Sequence, residues 1–410
     1  MESFLFSGGR VLDPERGEPA EGVQVLVEGD RIKEVSDKSI RSAAATRIDL
    51  AGQVLMPGLI DAHVHVIASL VDVGANAALP SSLASLRAGR TMNGMLRRGF
   101  TTVRDVGGAD HGLVRAVEEG LIEGPRLVIA GKALGQTGGH TDFRGRSDDR
   151  WAFDDRVGTL GRICDGVSAV RRAAREEIKA GARFIKIMAN GGVASPNDPI
   201  HALGFSRDEV SAAVEEAANA GTYVSAHLYT DDAIRRCVEC GVHSLEHCNL
   251  IQLETARLAA RAGAVAVPTL VTYEALAAEG AAFGLGPDSV AKIETVRRAG
   301  MESLEIMRSA GLAMAYGSDL LGQLHHHQSG EFAIRGRVLP AREILASATT
   351  VAARLCRMEG EIGVLRAGAF ADLIVVDGDP LANLGLLGHQ GRHLSAIMKG
   401  GRFHKNALAA

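Results

Sequence analysis

From Gly58 to about residue 319 the chain repeats one pattern, and that pattern leaves few folds open. Short apolar runs of strand length alternate with Ala-, Arg- and Glu-rich stretches of helical period, the mark of βα units and a parallel sheet. Eight such runs stand out: LIDAHVHV (59–66), TTVRDV (101–106), RLVIAG (126–131), RFIKIMA (183–189), TYVSAH (222–227), VHSLEH (242–247), AVAVPTL (264–270) and LAMAYGSD (312–319). Helical stretches fit between most of them, for example SRDEVSAAVEEAANAG before the fifth. Eight strands with crossovers predict a closed α/β architecture, a (β/α)8 TIM barrel. One stretch, Lys132 to about Gly166, breaks the period and contains GQTGGHTDFRGRSDDRW, so we expect a long functional loop at the C-terminal mouth of the barrel.

The two ends of the chain differ from its middle. FLFSGGRVLD, VQVLVEGDRIKEVS and RIDLAGQVLMPG read as short strands broken by turns, and IGVLRAGAFADLIVVDGDPL and HLSAIMKGGRF return to that character near the end. Neither piece is large enough to bury a core alone, so residues 1–57 plus 360–410 are expected to form one small β-sandwich domain beside a barrel spanning 58–359.

A net charge of −4 with both signs interspersed gives no basic patch for nucleic acid and no polybasic stretch for a membrane. No apolar run approaches the roughly 18 residues that span a bilayer, and no signal-peptide pattern opens the chain. These readings predict a cytoplasmic protein with a small-molecule partner. The five cysteines, Cys164, Cys237, Cys240, Cys248 and Cys356, are odd in number and read as reduced thiols. Cys237 and Cys240 have CxxC spacing, but the stretch reads as helix and no second pair follows.

The chemistry-bearing residues gather at the predicted strand ends. His63 and His65 stand two apart, so their side chains leave the same face of a strand. Lys186 lies between Ile185 and Ile187, where a buried ammonium without a partner costs several kcal/mol. Either a salt bridge relieves that charge, or the amine reacts with carbon dioxide to give an anionic carbamate that can bridge two cations; the strand alone does not choose. His227 ends the fifth run, His247 the sixth and Asp319 the eighth, where barrel active sites are built. Two imidazole pairs, an oxygen bridge and one carboxylate suit a pair of zinc-like ions.

With MPGLIDAHVHV (56–66), FIKIMANGGVAS (184–195), SAHLYT (225–230), SLEHCN (244–249), YGSD (316–319) and AGAFADLIVVDGDPL (367–381), the chain resembles the amidohydrolase superfamily. The match is to the imidazolonepropionase-like branch, which includes binuclear-metal prolidases and carboxydipeptidases. That resemblance implies two divalent ions, with zinc the expected metal. His63, His65 and Asp319 would hold the more buried ion, His227 and His247 the other, and carboxylated Lys186 would bridge them. It also implies that His140, in TGGHTDF, contacts the substrate carbonyl and that Tyr229 holds substrate. Asp319 is the expected proton shuttle for amide cleavage by a metal-activated water. The expected substrates are Xaa-Pro dipeptides or N-acyl amino acids, with Xaa-Lys and Xaa-Arg next; Arg144 and Arg146 are available for a free carboxylate. A cyclic amide or lactone is the alternative substrate, and a catalytically silent scaffold the alternative role. Relatives of this kind are often homo-oligomers, and the same is expected here. The run His325, His326, His327, just past the eighth strand, is left outside the metal site.

Overall fold

The computed structural model describes residues 2–14, 17–148, 154–195 and 197–408. Short strands come first: β1 (Ser3–Ser7), β2 (Arg10–Leu12), β3 (Pro19–Glu21), β4 (Gln24–Glu28), β5 (Arg31–Ser36), β6 (Thr46–Asp49) and β7 (Val54–Pro57). The middle of the chain supplies β8 (Leu59–Val64), β9 (Phe100–Asp105), β10 (Arg126–Ile129), β11 (Ala133–Gly135) and β12 (Gly161–Ile163). It continues with β13 (Ile185–Met188), β14 (Val224–Thr230), β15 (Ser244–Leu250), β16 (Val265–Val267) and β17 (Ala313–Met314). Then come β18 (Leu373–Val376), β19 (Leu394–Lys399) and β20 (Arg402–Asn406).

Among the described residues the middle strands form two parallel sheets, three-stranded β10-β9-β8 and seven-stranded β12-β11-β13-β14-β15-β16-β17. Backbone hydrogen bonds run across both junctions between them. Arg183 N donates to Ile129 O at 2.8 Å, and Ala62 N donates to Tyr316 O at 2.7 Å. Each of β8, β9, β13 and β16 is buried along its whole length, as strands covered on both faces must be. Ile60 and Ala62 of β8, Val128 of β10 and Val267 of β16 pack into one apolar cluster with Val106 and Phe184, which flank β9 and β13. Helices cover the outside; Arg207–Asn219 starts with a capping box, Ser206 with Glu209, and buries Val210, Ala213 and Ala217.

All eight predicted runs contain a strand, but the last two are shorter than expected. β17 stops at Met314, so Asp319 lies in the segment beyond it. Ser318 N and Asp319 N both point to His63 O, at 3.2 and 2.9 Å, and the chain turns with φ 51° at Asp319. The Lys132–Gly166 stretch also departs from expectation. It holds β11 and β12, paired in parallel from Ala133 opposite Gly161, while its residues 149–153 lie outside the described residues.

Strands from both ends of the chain share a sheet. The order is β20-β19-β18-β7-β2-β3, with β7 antiparallel to β18 and parallel to β2. A second sheet, β5-β4-β1-β6, contributes Phe6, Val25 and Val27 to an apolar cluster with Leu55, Leu373, Val375 and Met398 of the first. All five cysteines are free thiols, four buried and Cys240 half-buried. Among the described residues no helix is long and apolar enough to cross a membrane.

Candidate metal centre

The first three expected ligands converge. His63 Nε2 and His65 Nε2 each lie 3.3 Å from Asp319 Oδ1. Two ligands about 2.1 Å from one ion at a tetrahedral angle sit roughly 3.4 Å apart, so this is the spacing of a coordination sphere. The other nitrogens of the imidazoles are engaged elsewhere. His63 Nδ1 is 2.7 Å from Glu246 Oε2, His65 Nδ1 is 2.8 Å from Gly107 O, and His247 Nδ1 is 2.8 Å from Thr269 Oγ1. His227 Nε2 is 3.3 Å from Gly191 O. An imidazole that donates one ring N–H to such a partner keeps a lone pair on the other nitrogen for an ion.

The rings form a continuous array, with centroids 5.5 Å apart for His65 and His63, 4.8 Å for His63 and His247, and 4.6 Å for His247 and His227. Burial holds His227 and His247 well below the usual histidine range, against the pull of Asp319, so they stay neutral, the form that ligates. Burial would raise the Asp319 carboxyl, but His63 and then His65 hold it well below the usual range. These residues therefore fit divalent ions by their chemistry: His227 and His247 as neutral imidazoles, and the Nε2 atoms of His63 and His65 turned toward an ionised carboxylate.

Lys186 is buried on β13, and among the described residues no ion pair reaches its ammonium. Glu246 and Asp319 attract it from beyond salt-bridge distance. Burial brings its pKa down to about 8, against the pull of Glu246 and Asp319, which leaves a share of neutral amine near neutral pH. Backbone strain marks the same place: His247, Cys248 and Asp319 have φ of 70°, 58° and 51°. Left-handed backbone at non-glycine residues costs on the order of 1–3 kcal/mol each and persists where surrounding bonds over-determine it.

A layer of charged residues beneath the centre escaped the sequence reading. Glu246 takes His63 at one oxygen and Arg104 Nη2, Ser225 Oγ and Ser244 Oγ at the other, at 2.6–2.7 Å. Burial would raise this carboxyl, but Arg104 and then His63 hold it well below the usual range. Asp61 accepts from Ser318 N, Ser318 Oγ and Gln328 Nε2, and so ties β8 to the Asp319 turn. A signal was present: both carboxylates interrupt apolar runs within two residues of a histidine.

His140 sits in the turn after β11, with its ring 4.3 Å from that of His227 and its Nδ1 2.6 Å from Ser195 Oγ. Burial lowers its pKa, partly offset by Asp198 and Asp319. A Cβ on Gly192 would come within 1.8 Å of the His140 ring, so only glycine leaves room for it. The Tyr229 ring is 4.7 Å from that of His227, and its hydroxyl is 3.2 Å from that of Tyr273. A cavity of about 50 Å³ beside these groups is walled by Met188, Val193 and Leu276 and reached by His140, Tyr229 and Asp319. It shares Val73, Phe143 and Ala194 with an outer cavity of about 320 Å³. Arg144 pairs with Asp142 at 2.8 Å, Arg146 is exposed, and neither lines these cavities among the described residues.

Residues 54–402 match the amidohydrolase family. Among solved structures, the chain is similar to an amidohydrolase at 52% identity and a TM-score of 0.97, over 98% of this chain and 99% of that one. It is also similar to a prolidase complexed with N-methylphosphonate-L-proline, at 50% identity and a TM-score of 0.97, over 98% of this chain and 100% of that one. A curated relative is the ochratoxinase of Aspergillus niger, 30% identical over 423 residues, which cover 98% of this chain and 86% of that protein.

Proposed function

The chain belongs to the amidohydrolase family, and from that premise we propose that it is a metal-dependent prolidase, releasing the C-terminal residue of Xaa-Pro dipeptides or N-acyl amino acids. The observation that carries this reading is the small cavity of about 50 Å³, largely apolar in its walls, that opens directly beside His140, Tyr229 and Asp319. It suits a compact apolar ring such as that of proline better than the long arms of Lys or Arg. The relative of 50% identity is complexed with a proline joined to a tetrahedral phosphonate, a shape that mimics a hydrated amide, which supports the same assignment here.

We read the two parallel sheets as one closed (β/α)8 barrel over 58–359; the hydrogen bonds at both junctions support closure. Residues 1–57 and 360–410 then make the small β-sandwich domain. His63, His65 and Asp319 would hold one divalent ion, His227 and His247 another, and a carbamate on Lys186 would join them; zinc suits this donor set. Bound there, the ions supply Lewis-acid charge and a water activated at neutral pH. His140, neutral and fixed by Ser195, donates a hydrogen bond to the scissile carbonyl oxygen as negative charge develops on it. Asp319 takes the proton of the attacking water and passes it to the leaving nitrogen, acting as base and then acid. Tyr229 holds the departing amino acid through its hydroxyl, and the apolar walls exclude bulk water.

The test is a panel of Xaa-Pro, Xaa-Lys, Xaa-Arg and N-acyl amino acids incubated with zinc-loaded protein made in bicarbonate medium, with released amino acids quantified. Release of proline in preference to Lys or Arg is the expected result. No release from any member, with metal bound, would move the assignment to a cyclic amide or lactone.

A further inference from the structure

We propose that Glu279, His326 and His327 form a separate site for one zinc-like divalent ion, between the helix that follows β16 and the 3-10 helix that follows β17. Their candidate donor atoms all lie within 4.8 Å of one another, as do those of His63, His65 and Asp319. His326 Nδ1 is 2.7 Å from Gln323 O, so the ring proton is held there and the Nε2 lone pair is left free. The His326 and His327 rings lie 3.9 Å apart and tilted by 40°, which brings both imidazoles to the same side of the 3-10 helix Gly322–His327. His327 Nε2 is 2.6 Å from Glu279 Oε1. That contact holds a proton which the ion would replace, releasing it to solvent. Two imidazoles and a carboxylate are a zinc-type donor set, and the exposure of His326 leaves room for water in the remaining position.

Placement gives the site a consequence. Glu279 ends the helix Leu270–Glu279, which brings Thr272, Tyr273 and Leu276 to the cavity. His326 and His327 lie just downstream of Asp319 and of Leu321, another cavity residue. An ion there ties the segment after β16 to the segment after β17 and braces the helix that supplies Thr272, Tyr273 and Leu276 to the cavity.

The experiment titrates tag-free holoenzyme with zinc by equilibrium dialysis and counts bound metal, for wild type, His326→Ala and Glu279→Gln. Wild type is expected to take one equivalent more than His326→Ala, and Glu279→Gln to bind that equivalent at least about tenfold more weakly. Both variants are expected to keep the metal of the buried centre. Equal zinc uptake by wild type and both variants overturns the proposal. The readout is bound zinc, so it stands or falls independently of the prolidase assignment.

Discussion

Lys186 places a demand on its surroundings, since burial lowers its pKa to about 8 and the attraction of Glu246 and Asp319 offsets that only in part. If a carbamate relieves that demand, Lys186→Ala loses most of the bound metal and nearly all turnover, which elemental analysis and a dipeptide assay report together. Asp319→Asn keeps the shape of the turn but removes the proton carrier. Its kcat should fall by about 100-fold or more with a smaller change in KM, and wild-type turnover would remove Asp319 from that role. Gly192→Ala tests a close approach, because its Cβ would displace the His140 ring. We expect kcat to fall while metal content stays near wild type, with some loss of melting temperature from the overpacking; unchanged kcat would separate His140 from the reaction. His63, His65, Lys186, His227, His247 and Asp319 were legible as candidates because each lies in or just beyond an apolar run, although His227 and His247 fall midway along β14 and β15 rather than at the strand ends expected of them. Glu246 and Ser195 were not, since their roles come from partners 183 and 55 residues away that only the fold brings near.

The strands were legible wherever an apolar run is buried on both faces, as in β8, β9 and β13. They were overextended where tertiary hydrogen bonds take the chain out of the ladder, as in β17, whose continuation is bound to His63 O instead. β11 and β12 were invisible because three residues carry too little period, and their pairing depends on residues such as Ala133 and Gly161 from opposite sides of a long excursion. The helix Arg207–Asn219 offers a clean test at this level. Ser206→Ala removes the cap from Glu209 N and should cost about 1 kcal/mol in denaturant unfolding without altering metal content. A cost near zero would mean that packing of Val210, Ala213 and Ala217 alone sets that helix's start.

Across the whole molecule, buried histidines couple stability to pH. Burial brings His325 down to about 4 from a usual 6.5, so between those values the unfolded chain takes up a proton that the folded chain refuses. Stability therefore falls as pH drops through that window, by on the order of 3 kcal/mol for this residue. His140, His227 and His247 are lowered too and act in the same direction, while His65, which Asp319 helps to raise against the effect of burial, opposes them. The metal-free protein is thus expected to melt at progressively lower temperature from pH 7 to pH 5; a flat profile would contradict that balance. The most direct test of the functional reading follows proline release from an Xaa-Pro dipeptide through one cycle of chelation and zinc return in bicarbonate, with circular dichroism recording the fold throughout. Release is expected to stop on chelation while the fold persists, and to resume when zinc is restored. Release that continues in demonstrably metal-free protein would contradict that reading.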